Sequence, residues 1–327
     1  MTKKRILSGM RPTGPLHLGN LHGALANWKN MQYDYDCFFF IADWHALTSD
    51  YEMTGPLQGY ALDIFMDWLS VGLSPDKCTL FVQSNIKEHA ELFLLLSMIT
   101  PLPWLERNPT YKEQIAQLKN KDLSTFGFLG YPVLQAADII MYKANGVPVG
   151  IDQAPHVELT REIARRFNHF YGDIFPMPET ILTETSKILG IDRRKMSKSY
   201  NNAIFLSASP VEIRNKVGQM ITDPQRARRT DPGNPDICNV FSFHRLYSDQ
   251  QTVQSIYQEC RKAQIGCVEC KQMMAENLIM VLEPVREKRA YYEAHPDTVR
   301  AVIEDGDQKA RVVARETMEQ VREAVKI

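Results

Sequence analysis

The sequence has no long hydrophobic run, almost no net charge and few cysteines. No stretch of about 20 apolar residues, the length that spans a bilayer, occurs along the chain. The basic N-terminus is broken by Gly9 and Pro12 before any apolar segment of export length, so we expect a cytoplasmic protein with no membrane partner. Because the 38 Lys and Arg residues are balanced by 39 Asp and Glu residues, any contact with nucleic acid must use local basic patches. In the cytoplasm the six cysteines are expected to be thiols or metal ligands and not disulfides.

What the sequence does contain is an alternation of strand-like and helix-like segments. The apolar run 37–43 is typical of a central parallel strand, and shorter strand candidates lie at 5–8, 79–83 and 147–150. Between them, apolar residues recur at helical spacing. These patterns predict an α/β fold with a Rossmann-like, doubly wound parallel sheet. Ligands of such a sheet bind at the carboxyl ends of its strands.

Strand patterns disappear after about residue 200, so a smaller all-α domain is expected to follow the sheet. We assign residues 1–190 to the Rossmann-like catalytic domain, 191–200 to a connecting loop and 201–295 to the helical domain. The last segment, 296–327, carries an apolar stripe that is typical of an amphipathic helix. We expect this helix to pack back on the catalytic domain.

Two short motifs indicate phosphate binding. The first, residues 12–20, places His17 among small residues at a strand-to-helix turn, where free backbone N–H groups and the helix dipole favour an anion. The second, residues 195–199, reads Lys-Met-Ser-Lys-Ser and puts two ammonium groups on a hydroxyl-rich loop. A loop that closes over a polyphosphate must open to admit it, so we expect residues 195–199 to be mobile.

A third segment, residues 131–142, is apolar and helical and yet contains a carboxylate. Tyr131, Gln135 and Asp138 stand at i, i+4 and i+7, so they share one face of the helix. Burying a carboxylate is costly unless it meets a donor. Asp138 is therefore either a capped or salt-bridged residue facing solvent, or the acid of a binding pocket. Pro132 is expected in the first turn of the helix, where proline is tolerated.

The two phosphate motifs, in this order and spacing, resemble the signatures of class I aminoacyl-tRNA synthetases. Over essentially its whole length the chain is similar to the bacterial tryptophanyl-tRNA synthetases. The resemblance implies an enzyme that uses ATP to activate L-tryptophan as tryptophanyl-adenylate and transfers it to tRNA(Trp). It also implies a homodimer, with no DNA partner. The matching stretches are residues 8–14, 17–20, 42–48, 131–138, 149–153, 156–161 and 195–199.

The resemblance assigns a tryptophan site. Asp138 matches the acid that accepts the indole N–H, the only donor on the tryptophan side chain. A buried acceptor would be left unpaired by phenylalanine, which is how such a site discriminates. Tyr131 and Gln153 are expected to hold the α-ammonium group. The full set implied by the resemblance is Leu7, His45, Tyr131, Gln135, Asp138, Val149 and Gln153.

The resemblance also assigns an ATP site. Mg²⁺ and four residues, Lys195, Lys198, His17 and Asn20, are expected to stabilise charge on the phosphates during adenylation. Two departures from the wider class are Asn20, where a second histidine is common, and Ile151, where an acidic residue is common. The ATP-binding set is Arg11, Pro12, Thr13, Gly19, Asn20, Gly150, Ile151, Asp152, Ile188, Lys195, Met196, Ser197, Lys198 and Ser199.

The cysteines give a second signal. Cys238, Cys260, Cys267 and Cys270 are spaced C-x21-C-x6-C-x2-C, which suits a four-cysteine iron–sulfur cluster or a zinc ion. The alternative is four buried apolar cysteines. Some members of the family carry a [4Fe–4S] cluster on a similar pattern, with a first spacing one residue longer than here.

The densest basic run of the chain lies close to Cys238 in sequence. Arg226, Arg228 and Arg229 form a solvated loop on the commoner interpretation of such a run. Beside a helical domain that the family uses for the anticodon, they become candidates for contacts with tRNA phosphates.

Two functional alternatives remain at this point. One is another adenylating enzyme, either a tyrosyl-tRNA synthetase or a small nucleotidyltransferase with the same histidine motif. The other is a non-catalytic RNA-binding paralogue that keeps the fold. Intact Lys195, Lys198, His17 and Asp138 argue against the paralogue. The tyrosyl alternative is the more serious one, because Gln-x-x-Asp on a helix also suits a phenol.

Overall fold

The structure, a computed structural model, describes residues 3–107, 123–183 and 188–327. Its centre is a parallel sheet in the order β3-β2-β1-β4-β5. The predicted fold class is confirmed. The strands are β1 (Arg5–Met10), β2 (Asp36–Ile41), β3 (Cys78–Val82), β4 (Gly146–Val149) and β5 (Glu179–Leu182).

Strand β5 is the element that the sequence did not predict. It is four residues long, and none of its residues is buried. An edge strand of this kind has no apolar run, so its hydrophobic pattern is too weak to distinguish it from a loop.

The helices cover both faces of the sheet and form the described part of the chain after residue 210. They are α1 (Leu18–Asn20), which continues through a π-helical turn (Leu21–Leu25) into α2 (Ala26–Met31), then α3 (Asp43–Asp50), α4 (Leu57–Val71), α5 (Glu88–Ile99), α6 (Leu102–Glu106), α7 (Phe126–Met141), α8 (Ala154–Tyr171), α9 (Pro210–Gly218), α10 (Asn239–Tyr247), α11 (Gln250–Arg261), α12 (Cys267–Ala294) and α13 (Pro296–Val325). No helix among these described residues is long and apolar enough to cross a membrane.

Helix α7 begins earlier than the sequence suggested. Thr125 caps it by accepting a hydrogen bond from the Phe128 backbone N–H, so the first turn lies at Phe126. Pro132 is therefore inside the helix, and its expected place in the first turn was wrong. The cap sets the helix start, because Thr at the N-cap satisfies a backbone donor that the helix leaves free.

The apolar residues 37–41 of strand β2 face helices on both sides of the sheet. Cys37, Phe39 and Ile41 face one hydrophobic core, while Phe38 and Phe40 face the other. A central parallel strand that is covered by helices on both faces needs apolar residues at every position.

A buried ion pair joins the helical part of the chain to the sheet. The Arg289 guanidinium on α12 lies 2.5 Å from Asp67 on α4, and the two residues are 8% and 1% exposed. Asp67 also accepts a hydrogen bond at 3.3 Å from the backbone N–H of Leu16, which lies within the first phosphate motif. Burial raises the pKa of Asp67 to about 6, with the Arg289 charge opposing the shift. The pair thus links α12 to the start of α1.

The last helix lies against β3, at the edge of the sheet. Asp307 accepts hydrogen bonds from the Val82 backbone N–H at 2.9 Å and from Asn85 Nδ2 at 2.5 Å. Gly306 permits this contact, because a Cβ there would lie 1.7 Å from the Leu80 carbonyl oxygen. The edge of β3 is thereby covered, which protects it from pairing with other chains.

We predict that Gly306→Ala destabilises the protein, because the new methyl group meets backbone that cannot rotate away. Overpacking of this kind costs about 1–3 kcal/mol. Gly59→Ala on α4 is the matched control, since nothing lies within 4 Å of a Cβ there. Urea denaturation should show a loss of unfolding free energy for Gly306→Ala and none for Gly59→Ala; equal stability of the two variants would contradict the contact.

Candidate active site at the carboxyl ends of the strands

A cavity of about 430 Å³ opens where β1 and β4 end. Helix α7 forms one wall, and Tyr131, Gln135 and Asp138 all line it, as their spacing predicted. The other predicted tryptophan-site residues that line the same cavity are Leu7, His45, Val149 and Gln153, and the ATP-site residues that reach it are Arg11 and Gly150. The fold therefore places these predicted site residues around one cavity.

The Asp138 carboxylate lies at the inner end of this wall and is 1% exposed. His45 Nε2 lies 2.8 Å from Oδ2, and His89 Nδ1 lies 2.6 Å from Oδ1. Gln83 Nε2 donates to both oxygens, at 2.8 and 3.0 Å. Because an ionised carboxylate only accepts hydrogen bonds, both imidazoles donate to it. Asp138 is thus a buried acid with a complete set of donors and not a solvent-facing one.

The charge of Asp138 is stabilised by these donors. Burial alone would raise its pKa, but the hydrogen bonds from His45 and His89 outweigh burial and lower the pKa below its usual value. The carboxylate is therefore ionised at neutral pH and available as an acceptor.

Gln83, His89 and Tyr142 are functional candidates that the sequence analysis missed. The Tyr142 hydroxyl lies 2.7 Å from His89 Nε2, and all three residues are fully buried. When neutral His89 donates from Nδ1, its Nε2 accepts from this hydroxyl. The row Tyr142–His89–Asp138 fixes the direction of the carboxylate.

Tyr131 stands nearer the cavity mouth. Its hydroxyl lies 3.3 Å from His156 Nε2. Burial raises the pKa of Tyr131 to about 12 and lowers that of His156 to about 4, so both side chains are neutral at pH 7. Both side chains can therefore form hydrogen bonds with a ligand as neutral groups.

The first phosphate motif forms a strand-to-helix turn, as predicted. His17 is the N-cap of α1, and its backbone N–H donates to Asn20 Oδ1 at 3.0 Å. Asn20 therefore holds the turn. Burial and then the nearby Lys198 charge lower the pKa of His17 to about 4. A neutral imidazole at this turn can donate one hydrogen bond to a phosphate oxygen.

The second motif meets the first across the mouth of the site. Lys198 Nζ lies 3.2 Å from Thr13 Oγ1 and 3.1 Å from the Gly14 carbonyl oxygen. Met196 is buried, and its Cβ lies 3.6 Å from where a Cβ on Gly19 would be. Burial lowers the pKa of Lys198. Two segments about 180 residues apart in sequence thus form one cationic rim.

Two buried nitrogens at this rim have no hydrogen-bond partner among the described residues. They are Arg11 Nε and His17 Nδ1. The other end of the Arg11 guanidinium donates to Ser49 and to Asp50, the latter at 3.2 Å. Burying a polar nitrogen without a partner is costly. The arrangement fits an anionic ligand that accepts from both.

The remaining ATP-site candidates lie around this rim with different degrees of exposure. Lys195 and Asp152 are exposed, and Ile151 is 74% exposed. The Ile188 carbonyl accepts from the Met196 backbone N–H at 3.4 Å. Pro12 is buried, whereas Ser199 is exposed and Ser197 is half-buried, their hydroxyls 2.9 Å apart.

The four cysteines come together at the start of α12. Burial and the neighbouring Cys238, Cys260 and Cys267 raise the pKa of Cys270 to about 12. Arg226 Nη1 lies 3.8 Å from Cys260 Sγ and 3.8 Å from Cys267 Sγ. One cation thus faces two sulfurs.

Within the described part of the chain, no group of three or more His, Cys, Asp or Glu side chains, the four cysteines included, is arranged so as to hold a metal ion.

Arg226 points inward, in contrast to its expected role as a tRNA contact. Its Nη2 donates to the Arg229 and Ile265 carbonyls at 2.7 and 2.8 Å. The guanidinium is therefore already bonded within the protein. Arg228 and Arg229 are exposed.

A parallel sheet with a His-x-Gly turn and a Lys-Met-Ser-Lys-Ser loop meeting over one cavity is the arrangement of a class I aminoacyl-tRNA synthetase. Residues 2–283 match the family described as tRNA synthetases class I (W and Y). The chain belongs to this family, as its sequence motifs predicted.

Relatives of known activity extend the match to the whole chain. The chain is 51% identical to the tryptophan–tRNA ligase of Thermotoga maritima, with 99% of both chains covered. It is 45% identical to the tryptophan–tRNA ligase of Aquifex aeolicus, covering 99% of this chain and 100% of the relative.

The chain is also similar in structure to solved tryptophanyl-tRNA synthetases. The tryptophanyl-tRNA synthetase of Campylobacter jejuni, complexed with ADP and tryptophan, superimposes with a TM-score of 0.92 at 33% identity, covering 99% of this chain and 100% of the other. The tyrosyl-tRNA synthetase of Archaeoglobus fulgidus, at 20% identity and a TM-score of 0.65, shares the fold.

Proposed function

We propose that the cavity between β1, β4 and α7 binds L-tryptophan and that the rim above it binds ATP. The chain is an aminoacyl-tRNA synthetase, a tryptophan–tRNA ligase that activates L-tryptophan with ATP, releases pyrophosphate and transfers the amino acid to tRNA(Trp). The observation that supports the site assignment best is the buried, ionised Asp138 in a cavity walled by apolar and aromatic side chains. Neither the tyrosyl alternative nor a non-catalytic paralogue is favoured by the relatives.

Asp138 would select tryptophan by accepting the indole N–H. Both of its oxygens already accept hydrogen bonds, so the substrate must share one of them. His45 lines the same cavity, and we propose that the indole N–H takes the position at Oδ2 that His45 occupies here. Leu7, Gln135 and Val149 would contact the ring. Tyr131 and Gln153 would bind the α-ammonium group.

Adenylate formation needs no protein nucleophile. The tryptophan carboxylate attacks the α-phosphorus of ATP, and pyrophosphate leaves with both electrons of the broken P–O bond. Lys195 and Lys198 would stabilise the negative charge that grows on pyrophosphate, and His17 and Arg11 would donate to phosphate oxygens. Mg²⁺ bound to the phosphates supplies further charge neutralisation. Gly150, Asp152 and Ile188 would contact the nucleoside.

Replacing Asp138 by Asn should weaken tryptophan activation far more than ATP binding. The change keeps the volume but removes the charged acceptor of the indole N–H, worth about 1–3 kcal/mol, or one to two factors of ten. Tryptophan-dependent pyrophosphate exchange measures the loss in kcat/KM. Asp297→Asn, at a side chain 92% exposed, is the control. Wild-type efficiency in Asp138→Asn would reject the pocket assignment.

Replacing Lys195 or Lys198 by Ala should lower kcat by about tenfold or more with little change in the Kd for tryptophan. Each ammonium would bind charge that is larger in the transition state than in the ground state. Single-turnover adenylate formation and tryptophan titration separate the two quantities. Lys309→Ala, which removes a surface pair with Asp305, is the control. Unchanged turnover would remove these lysines from the mechanism.

The second step would bring the tRNA acceptor end to the adenylate. We propose that residues 1–190 form the catalytic domain, that 191–200 form the loop over ATP and that 201–295 contact the anticodon. Arg228 and Arg229 are exposed and remain our candidates for phosphate contact. The enzyme would work in the cytoplasm, the compartment of translation.

We further propose a homodimer. Leu94, Met98 and Leu102 lie along α5 and the start of α6 and are 55%, 70% and 57% exposed. Large apolar side chains gathered on one face are typical of a protein–protein interface. A second copy of the chain would cover them.

The four-cysteine group would hold a [4Fe–4S] cluster. Four thiols from separate segments of the chain lie close together here, and a [4Fe–4S] cluster takes four cysteine ligands. Arg226, between the sulfurs of Cys260 and Cys267, would offset the negative charge of cluster-bound thiolates. Such a cluster is a one-electron redox centre and also a structural link between the loop before α10 and the start of α12.

Protein purified without oxygen should be brown, contain about four irons per chain and lose its colour when Cys267 or Cys270 is changed to Ser. Cys78→Ala is the control, because this buried thiol lies on β3, outside the group. Iron analysis and absorption spectra report the result. One bound zinc in colourless protein would replace the cluster by a structural metal, and freely titratable thiols without metal would reject the site.

A further inference from the structure

Two buried asparagines hold the base of the Lys195–Ser199 loop. Asn202 is 1% exposed and Asn239 is 2% exposed. Neither belongs to the predicted site, and neither contacts the cavity. The side-chain amide of each forms hydrogen bonds with backbone groups of residues 190–197. A buried amide used this way fixes the position of the chain that it binds.

Asn202 binds the loop at two points and the segment before it at a third. Its Oδ1 accepts from the Ser197 backbone N–H at 2.8 Å, and its Nδ2 donates to the Lys195 carbonyl at 3.1 Å. Nδ2 also donates to Asp192 Oδ1 at 2.8 Å. The backbone on both sides of Met196 is thus fixed by one side chain.

Residues 189–195 form a narrow turn whose base is Gly190. Leu189 and Lys195 form an antiparallel bridge, and the Gly190 N–H donates to the Arg194 carbonyl at 2.7 Å. Gly190 lies directly on Asn202, because a Cβ at this glycine would be 2.3 Å from Asn202 Cγ. A shift of Gly190 therefore shifts Asn202.

Asn239 binds this base from the helical part of the chain. Its Nδ2 donates to the Gly190 carbonyl at 2.8 Å. Asn239 is the first residue of α10, and Cys238, the first of the four cysteines, is the N-cap of that helix. The Asn239 amide thus connects the segment that carries Cys238 to the turn that carries Lys195.

We propose that Asn239 is a positioning residue for adenylate formation, acting through Gly190 and Asn202 on the Lys195–Ser199 loop. The inference rests on the role proposed above for the loop lysines. Asn239 sets the height of the loop above the cavity, and with it the fraction of molecules in which Lys198 reaches Thr13 and Gly14. Any displacement of the chain at Cys238, by a bound group or by tRNA, reaches the loop by this route.

The test compares Asn239→Ala with Asn168→Ala. Asn168 Nδ2 also donates to a backbone carbonyl, that of Phe175, at 2.8 Å, but it lies on α8, away from the loop. Each variant loses this donor, and Asn168→Ala also loses an acceptor of the Ile174 and Phe175 N–H groups, so the control is at least as disruptive locally. Asn239→Ala should lower kcat for pyrophosphate exchange about tenfold and leave the Kd for tryptophan unchanged, whereas Asn168→Ala should change neither.

Two further readouts separate positioning from general weakening. Trypsin should cut after Arg193, Arg194, Lys195 or Lys198 faster in folded Asn239→Ala than in Asn168→Ala, as followed by mass spectrometry. In a double-mutant cycle, Asn239→Ala should have less than its full effect once Lys198 is Ala, because one of the two ammonium groups that it positions is then absent. Gly190→Ala, which crowds Asn202 directly, provides a second route if Asn239→Ala does not fold, and it should lower kcat in the same way.

The outcomes distinguish the inference from the function on which it rests. If Lys198→Ala lowers kcat while Asn239→Ala and Gly190→Ala do not, the positioning role is wrong and the loop mechanism stands. If the effects of Asn239→Ala and Lys198→Ala multiply in full, Asn239 acts elsewhere and the inference is also wrong. If Lys198→Ala itself is fully active, the proposed function of the loop fails first.

Discussion

The structure of the site depends on one buried carboxylate. An unpaired charge at the inner end of an apolar cavity would cost more than a protein of ordinary stability can tolerate. The Asp138 charge is not unpaired, because His45, His89 and Gln83 all donate hydrogen bonds to it. They keep it ionised, fix its direction and join α7 to α3, α5 and the end of β3. On the proposed function, the same charge would give the cavity its preference for a ligand with a single N–H donor.

The second constraint is that distant segments must meet above this cavity. Parallel strands place all their carboxyl ends at one edge, which brings the turn after β1 next to the ends of α7 and β4. The Lys195–Ser199 loop reaches the same edge through a bridge between His17 and Phe205 and through the Leu18 N–H, which donates to the Ile204 carbonyl at 3.0 Å. The two motifs predicted to bind phosphate therefore lie next to each other, although they come from distant parts of the chain.

The sequence predicted those parts of the structure that depend on hydrophobic periodicity and on the order of the motifs. The wall formed by Tyr131, Gln135 and Asp138 follows from the pitch of a helix, and the strands follow from apolar runs. Gln83 and His89 could not be found, because their hydrogen bonds to Asp138 join residues 55 and 49 positions apart, and no local pattern marks such pairs. The inward turn of Arg226 likewise depends on sulfurs brought near by folding, whereas composition alone suggested a solvated basic loop.

The most direct measurement is amino-acid-dependent pyrophosphate exchange by the wild-type enzyme, with tryptophan and tyrosine compared at equal concentrations. The buried acceptor matches an indole N–H, and a phenol hydroxyl would stand in a different place, leaving polar groups unpaired at a cost of about 1–3 kcal/mol. We expect rapid exchange with tryptophan and exchange that is lower by at least about tenfold with tyrosine. Equal rates with both amino acids, or a preference for tyrosine, would contradict it.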